Sequence, residues 1–135
     1  MDPVDLKSGT LLSSKEERMD INRMLKAVKE HPDSSKMGMI ASHMGLVRET
    51  SLNGDTVKGI NVQFDREAIE AIIRDSKKLP GIIEVLVETC DGQLNVGDEI
   101  MAVVVGGDIR DRVFPALIAT VDRIKKEGSR KKEEF

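Results

Sequence analysis

An α+β fold, with a mixed or antiparallel sheet and helices packed on one face, is what this sequence predicts, and three observations carry it. Stretches with apolar residues at three- and four-residue spacing are interleaved with apolar or alternating runs, in the order helix, two strands, helix, two strands, helix. Between the first two strand-like runs lies Asn53-Gly54, the pair favoured in tight hairpins. The chain has 135 residues, enough for one domain that buries roughly two thirds of the surface its unfolded form exposes.

Residues 1–19 are polar and read as an N-terminal arm or short strand followed by a turn. From Asp20 the spacing of Ile21, Met24, Leu25 and Val28 predicts an amphipathic helix, which His31-Pro32-Asp33 closes. The apolar, glycine-punctuated run from Met37 to Arg48 predicts a central strand. Val57 to Phe64 predicts a second, paired with it as an antiparallel neighbour across the Asn53-Gly54 turn. Asp65 can cap a helix through Lys78, with Ala68, Ile69, Ile72 and Ile73 on one face and Pro80-Gly81 as its end. Ile82 to Val87 and Glu99 to Val105 predict two more strands, separated by turn signals at Asp91-Gly92 and Gly97-Asp98. Gly106-Gly107-Asp108 then leads into a long helix, with Asp108 as the expected N-cap and Val113, Phe114, Leu117, Ile118, Val121 and Ile124 as its apolar stripe. Gly128-Ser129 breaks that helix. The expected organisation is an arm over 1–19, a single domain over 20–127, and a charged tail over 128–135 that contributes to the site.

Three Phe, no Trp and no Tyr mean that the core is built from Ile, Val, Leu and Met. With 21 Lys and Arg against 24 Asp and Glu the formal charge is −3, so nucleic acid and anionic membrane are not expected partners of the molecule as a whole. Any anion site is local. One cysteine, Cys90, excludes an internal disulfide, and with only His31 and His43 beside it no metal or other cofactor is expected. Cys90 reads as a buried strand residue. No apolar run is long enough to span a bilayer, and the N-terminus has no signal-like segment, which makes a cytoplasmic protein the expectation.

The candidate site residues are cations. Lys125 follows Ile124 at the edge of the apolar stripe, so its stem can lie on the protein while the ammonium reaches a pocket rim. Lys132 is seven residues on, close to two helical turns if helical order continued past Gly128. A solvated basic helix end is the alternative for both. Arg48 ends a strand beside Gly45, whose missing side chain leaves room for a phosphate or carboxylate that a guanidinium holds with two hydrogen bonds. A surface ion pair with Glu49 or a neighbouring acid is its alternative. Arg110 opens a helix, where free backbone amides favour anions. His43, inside an apolar strand, reads as a core histidine. Nothing supports a hydrolytic triad or a phosphate loop.

Gly45-Leu46-Val47-Arg48, Leu94 to Asp98, Arg110 to Ala116, Asp122-Arg123-Ile124-Lys125 and Lys131-Lys132-Glu133, taken in order, resemble the large, catalytic subunit of molybdopterin synthase, the MoaE family. The family pattern runs His-Arg-x-x-Ala-Phe-x-Ala, Asp-x-Leu-Lys, then Pro-x-Trp-Lys-Lys-Glu. Arg110, Phe114, Ala116, Asp122, Lys125 and Lys132 keep their places. Ile109 replaces the histidine, Ser129 the proline and Lys131 the tryptophan. His43 stands where a phenylalanine is usual, and Thr89-Cys90 replaces a second His-Arg.

The resemblance implies an α/β-hammerhead fold and a homodimer of large subunits. It also implies a ubiquitin-like, MoaD-like small subunit whose Gly-Gly C-terminus carries a thiocarboxylate. Sulfur would pass from it to cyclic pyranopterin monophosphate, forming the dithiolene of molybdopterin in molybdenum cofactor biosynthesis. Lys125 and Lys132 would be catalytic. Arg48 and Arg110, with Lys131 and Gly45, would bind the substrate's phosphate or the incoming C-terminus. The replaced motif positions motivate an alternative to this leading reading, a non-catalytic binding or regulatory module on the same scaffold.

Overall fold

The structure, a computed structural model, describes residues 11–12 and 19–135. The elements are β1 (Leu11–Leu12), α1 (Ile21–Lys29), β2 (Met39–Leu46), β3 (Gly59–Phe64), α2 (Arg66–Lys77), β4 (Ile82–Thr89), β5 (Gly92–Asn95), β6 (Glu99–Gly107), α3 (Arg110–Glu127) and β7 (Ser129–Glu134). The expected arm falls mostly outside the described residues.

The strands form two sheets, ordered β1-β4-β6-β2 and β5-β3-β7. In the first, β6 pairs antiparallel with both β2 and β4, while β1 lies parallel to β4. In the second, β3 pairs antiparallel with β5 and β7. The α+β class therefore holds, but β2 and β3 are not neighbours. Asn53-Gly54 does make a tight turn: Gly54 adopts φ 89° and its N–H donates to the Ser51 carbonyl. That turn closes only a small loop, with one bridge between Thr50 and Thr56. A turn pair specifies a local reversal of the chain and leaves open what the flanking strands pair with. Here the segment 47–58 carries the chain from one sheet to the other.

Most of the core lies on the first sheet, with Ile60, Val62 and Leu94 of the second sheet joining it. From Met101 to Gly107 every residue of β6 is buried, as are seven of the eight residues of β4, so both faces of these strands need cover. A Cβ on Gly107 would meet Val113 of α3, whereas one on neighbouring Gly106 would meet Val28 of α1. Successive residues of a strand face opposite ways, so α1 covers one face and α3 the other, a division the one-face expectation did not contain. Helices α2 and α3 lie side by side, where Ser76 Oγ and Thr120 Oγ1 approach to 2.7 Å in a buried hydroxyl pair. Asp20 and Asp65 cap α1 and α2, accepting from the amides of Arg23 and Ala68.

Helix α3 departs from its sequence reading in two ways. Ile109, not Asp108, is the N-cap residue; Asp108 instead accepts from the Ile109 amide and from the Arg112 guanidinium at 3.0 Å. Its buried face is Val113, Ala116, Leu117, Thr120, Val121 and Ile124. Phe114 and Ile118 are 48% and 60% exposed, because the small side chains of Ala116 and Thr120, rather than the large ones, lie against the neighbouring elements. The residues expected as a tail form β7, hydrogen-bonded along β3 from Phe64↔Ser129 to Gly59↔Glu134.

Candidate active site between the two sheets

A cavity of about 840 Å³ opens between the two sheets. The end of β2 and the segment after it supply His43, Gly45 and Arg48. One face of β3 supplies Ile60, Val62 and Phe64, and β7 supplies Ser129, Lys131 and Glu133. Lys125 enters from the last turn of α3, and Ile100 and Met101 of β6 complete the apolar part of the wall. This is the concave, mostly apolar setting with a few convergent charges in which small ligands are held.

Of the expected site residues, the structure brings Gly45, Arg48, Lys125 and Lys131 together and leaves two out. Lys132 pairs across the ladder with Asn61, whereas Ser129, Lys131 and Glu133 on the cavity side pair with Phe64, Val62 and Ile60. Placing Lys132 with Lys125 assumed a helical period; Gly128 ends α3 and β7 resets the period to two. The odd-numbered residues of the strand therefore face inward. Arg110 stands apart for a different reason. It starts the helix whose last turn holds Lys125, and 15 residues of α-helix put roughly 22 Å between them. Within one chain Arg110 does not reach this cavity.

Among the described residues Arg48, Lys125 and Lys131 make no ion pair; the pairs that do form are elsewhere, such as Arg123 with Asp75 and Glu127. Arg48 is exposed beyond β2, and its alternative pairing with Glu49 is not made. Three cations and one carboxylate, Glu133, therefore line the cavity and leave its wall net positive.

His43 is not the satisfied core histidine that its strand suggested. It lines the cavity, and its Nε2 is shielded from solvent with no hydrogen-bond partner among the described residues. Burial, and then the charge of Lys125, hold its pKa below the ordinary 6.5, so the imidazole is neutral at neutral pH. Cys90 is buried at 7% exposure, and burial followed by Glu99 and other carboxylates pushes its thiol pKa up, which makes it a poor nucleophile. Among the described residues no group of three His, Cys, Asp or Glu side chains is placed to hold a metal. Sequence reasoning missed Glu133 and the cavity role of His43. The two-residue period of Ser129, Lys131 and Glu133 was the available signal for the first, and nothing local marked the second.

The model of the MoaE protein family matches residues 14–127. The chain belongs to the MoaE family. With that membership comes the role of large subunit of molybdopterin synthase, in molybdenum cofactor biosynthesis. Solved structures share the MoaE fold: a molybdopterin biosynthesis MoaE protein from Burkholderia ambifaria matches with a TM-score of 0.71 at 20% identity, over 93% of this chain and 89% of that one. A molybdopterin synthase from Staphylococcus aureus matches at 0.72 and 17% identity, over 93% and 89%. A complex of subunits 1 and 2 of molybdopterin-converting factor from Helicobacter pylori matches at 0.65 and 16%, over 95% and 84%. No curated protein matches the sequence. The family match ends at Glu127, so β7, which supplies Lys131 and Glu133, lies beyond it. Among the described residues no helix is long and apolar enough to cross a membrane.

Proposed function

We propose that the cavity between the sheets is the sulfur-transfer centre of a cytoplasmic molybdopterin synthase. A MoaD-like, ubiquitin-like small subunit feeds its Gly-Gly C-terminus into the cavity, and its thiocarboxylate sulfur passes to cyclic pyranopterin monophosphate. The observation that carries this reading is the convergence of Arg48, Lys125 and Lys131, all without ion-pair partners among the described residues, on one concave surface. Acyl transfer of sulfur passes through an oxyanion, and cations fixed around a largely apolar cavity stabilise that charge as it develops. Lys125 and Lys131 take this role, and Arg48 offers its guanidinium fork to the substrate phosphate. Leu46 and Leu52, 54% and 93% exposed beside the cavity, give the incoming tail an apolar surface to cross.

Arg110 has a place in this scheme only through a second copy. Arg110, Phe114 and Ile118 follow one another at four-residue steps and form an exposed stripe on α3. A homodimer that covers this stripe would let Arg110 serve the partner's cavity. The test of the whole reading is direct: purified protein with a thiocarboxylated small subunit converts the pyranopterin precursor, and Lys125→Ala abolishes the conversion. An inactive wild-type protein, together with failure to bind the small subunit, would overturn it in favour of a different ligand for the cavity.

A further inference from the structure

Sulfur transfer as proposed above employs the cations and leaves one cavity group without a task; a role for that group rests on the same sulfur-transfer reading. His43 lies two residues before Gly45 on the same side of β2. A Cβ built on Gly45 would stand 3.5 Å from His43 Nε2, an ordinary van der Waals approach, with Met101 the other near neighbour at 3.8 Å. Glycine at 45 thus leaves about a methyl group's room over that edge of the ring. Nε2 is withdrawn from bulk water and unpartnered among the described residues. A buried polar atom without a partner costs free energy on the order of 1–3 kcal/mol and calls for an explanation such as a ligand or a catalytic role. The phenylalanine usual in the family at this position has no such atom.

We propose that His43 is a catalytic residue of this chain, accepting a proton through Nε2 during release of the small subunit. The step starts from the thioester in which the transferred sulfur joins the pterin to the acyl carbon of the small subunit's C-terminus. Water then attacks the acyl carbon, and its proton passes to Nε2 as the oxygen–carbon bond forms. The oxyanion collapses, the carbon–sulfur bond breaks, and the electron pair stays on sulfur. The small subunit leaves as a carboxylic acid, which gives its remaining proton to solvent. Lys125 and Lys131 stabilise the oxyanion while His43 takes the proton.

The charged groups that share the cavity with the ring are Lys125 from α3, Lys131 and Glu133 from β7, and Arg48 beyond β2. Its ladder partner on β6, Val103, and Met101 beside Gly45 carry no charge. Burial and Lys125 favour the neutral ring, which is the form able to accept a proton.

Two measurements test the inference. In the sulfur-transfer assay, His43→Phe lowers kcat by about 100-fold with KM nearly unchanged, the usual loss on removing a general base. Wild-type kcat falls on the acid side as His43 is protonated below pH 6.5, and this limb is absent from the variant. Unaltered kcat in His43→Phe across the pH range overturns the inference and leaves the sulfur-transfer reading intact. The second measurement needs no turnover. The chain has two histidines, His31 and His43, so the variant assigns their imidazole proton resonances. Inorganic phosphate seated among Arg48, Lys125 and Lys131 favours the protonated ring, raising the His43 midpoint by about half a pH unit or more and leaving His31 in place. A His43 midpoint indifferent to phosphate removes the ring from the site. A preparation that neither transfers sulfur nor binds the small subunit overturns the parent reading, and the phosphate titration then decides the placement of His43 by itself.

Discussion

Replacing Lys131 and Lys132 one at a time separates the strand geometry from the sequence alignment. The two are adjacent, but β7 turns Lys131 into the cavity beside Lys125 and Lys132 to the other side of the sheet opposite Asn61. Three cations against one carboxylate leave the cavity doubly positive, and Lys131→Ala halves that charge. An oxyanion about 4 Å from one ammonium gains roughly 4 kcal/mol at the effective dielectric typical near a protein surface. Part of that gain is already present in the ground state, because the thiocarboxylate arrives as an anion. The remainder, about 2.7 kcal/mol, corresponds to a fall of about 100-fold in kcat. Lys132 is exposed and makes no ion pair among the described residues, so Lys132→Ala is expected to change the rate by about twofold at most. The assay is single-turnover sulfur transfer from the thiocarboxylated small subunit, at fixed ionic strength because exposed charges are screened by salt. If Lys132→Ala lost as much activity as Lys131→Ala, or if Lys131→Ala kept most of its rate, the assignment by strand alternation would be refuted.

The same geometry sets two other outcomes. If Arg110 acts on a partner's cavity, Arg110→Ala and Lys125→Ala proteins, each inactive alone, should regain activity when unfolded and refolded together, since a mixed dimer holds one intact site. Random pairing sets the recovery at about a quarter of the wild-type rate, and no recovery would show that Arg110 does not act on a partner's cavity. Gly107→Ala should lower stability by about 1–3 kcal/mol in thermal or urea unfolding. Its new Cβ would stand 2.6 Å from the Gly81 carbonyl oxygen and 2.7 Å from Val113. Equal melting temperatures for Gly107→Ala and wild type would contradict the close passage of β6 beneath α3.

The residues decided different things at different ranges. Asp20, Asp65 and Gly128 mark helix ends through side-chain capping and backbone freedom, which act within a few residues, and the helices begin and stop where those residues stand. The apolar runs from Ile82 and from Glu99 are legible as strands for the same local reason, while the short strand Gly92–Asn95 between them carries turn signals in its sequence. The order of the cationic segments was enough to suggest the MoaE family, because family motifs are a property of the chain.

Strand partners were another matter. Asn53-Gly54 made its turn, yet β2 joined β6 and β3 joined β5 and β7, since pairing is settled by which faces must be buried across the whole molecule. The site shows the same division. Its chemistry, scattered Lys and Arg with one anion-sized glycine gap, could be read from residue types. Which lysine faces the cavity depended on β7 changing the period after Gly128, and whether His43 was core or site depended on what packs over Gly45. Those are facts about neighbours distant in sequence, and only the folded chain brings such neighbours within a few ångströms of each other.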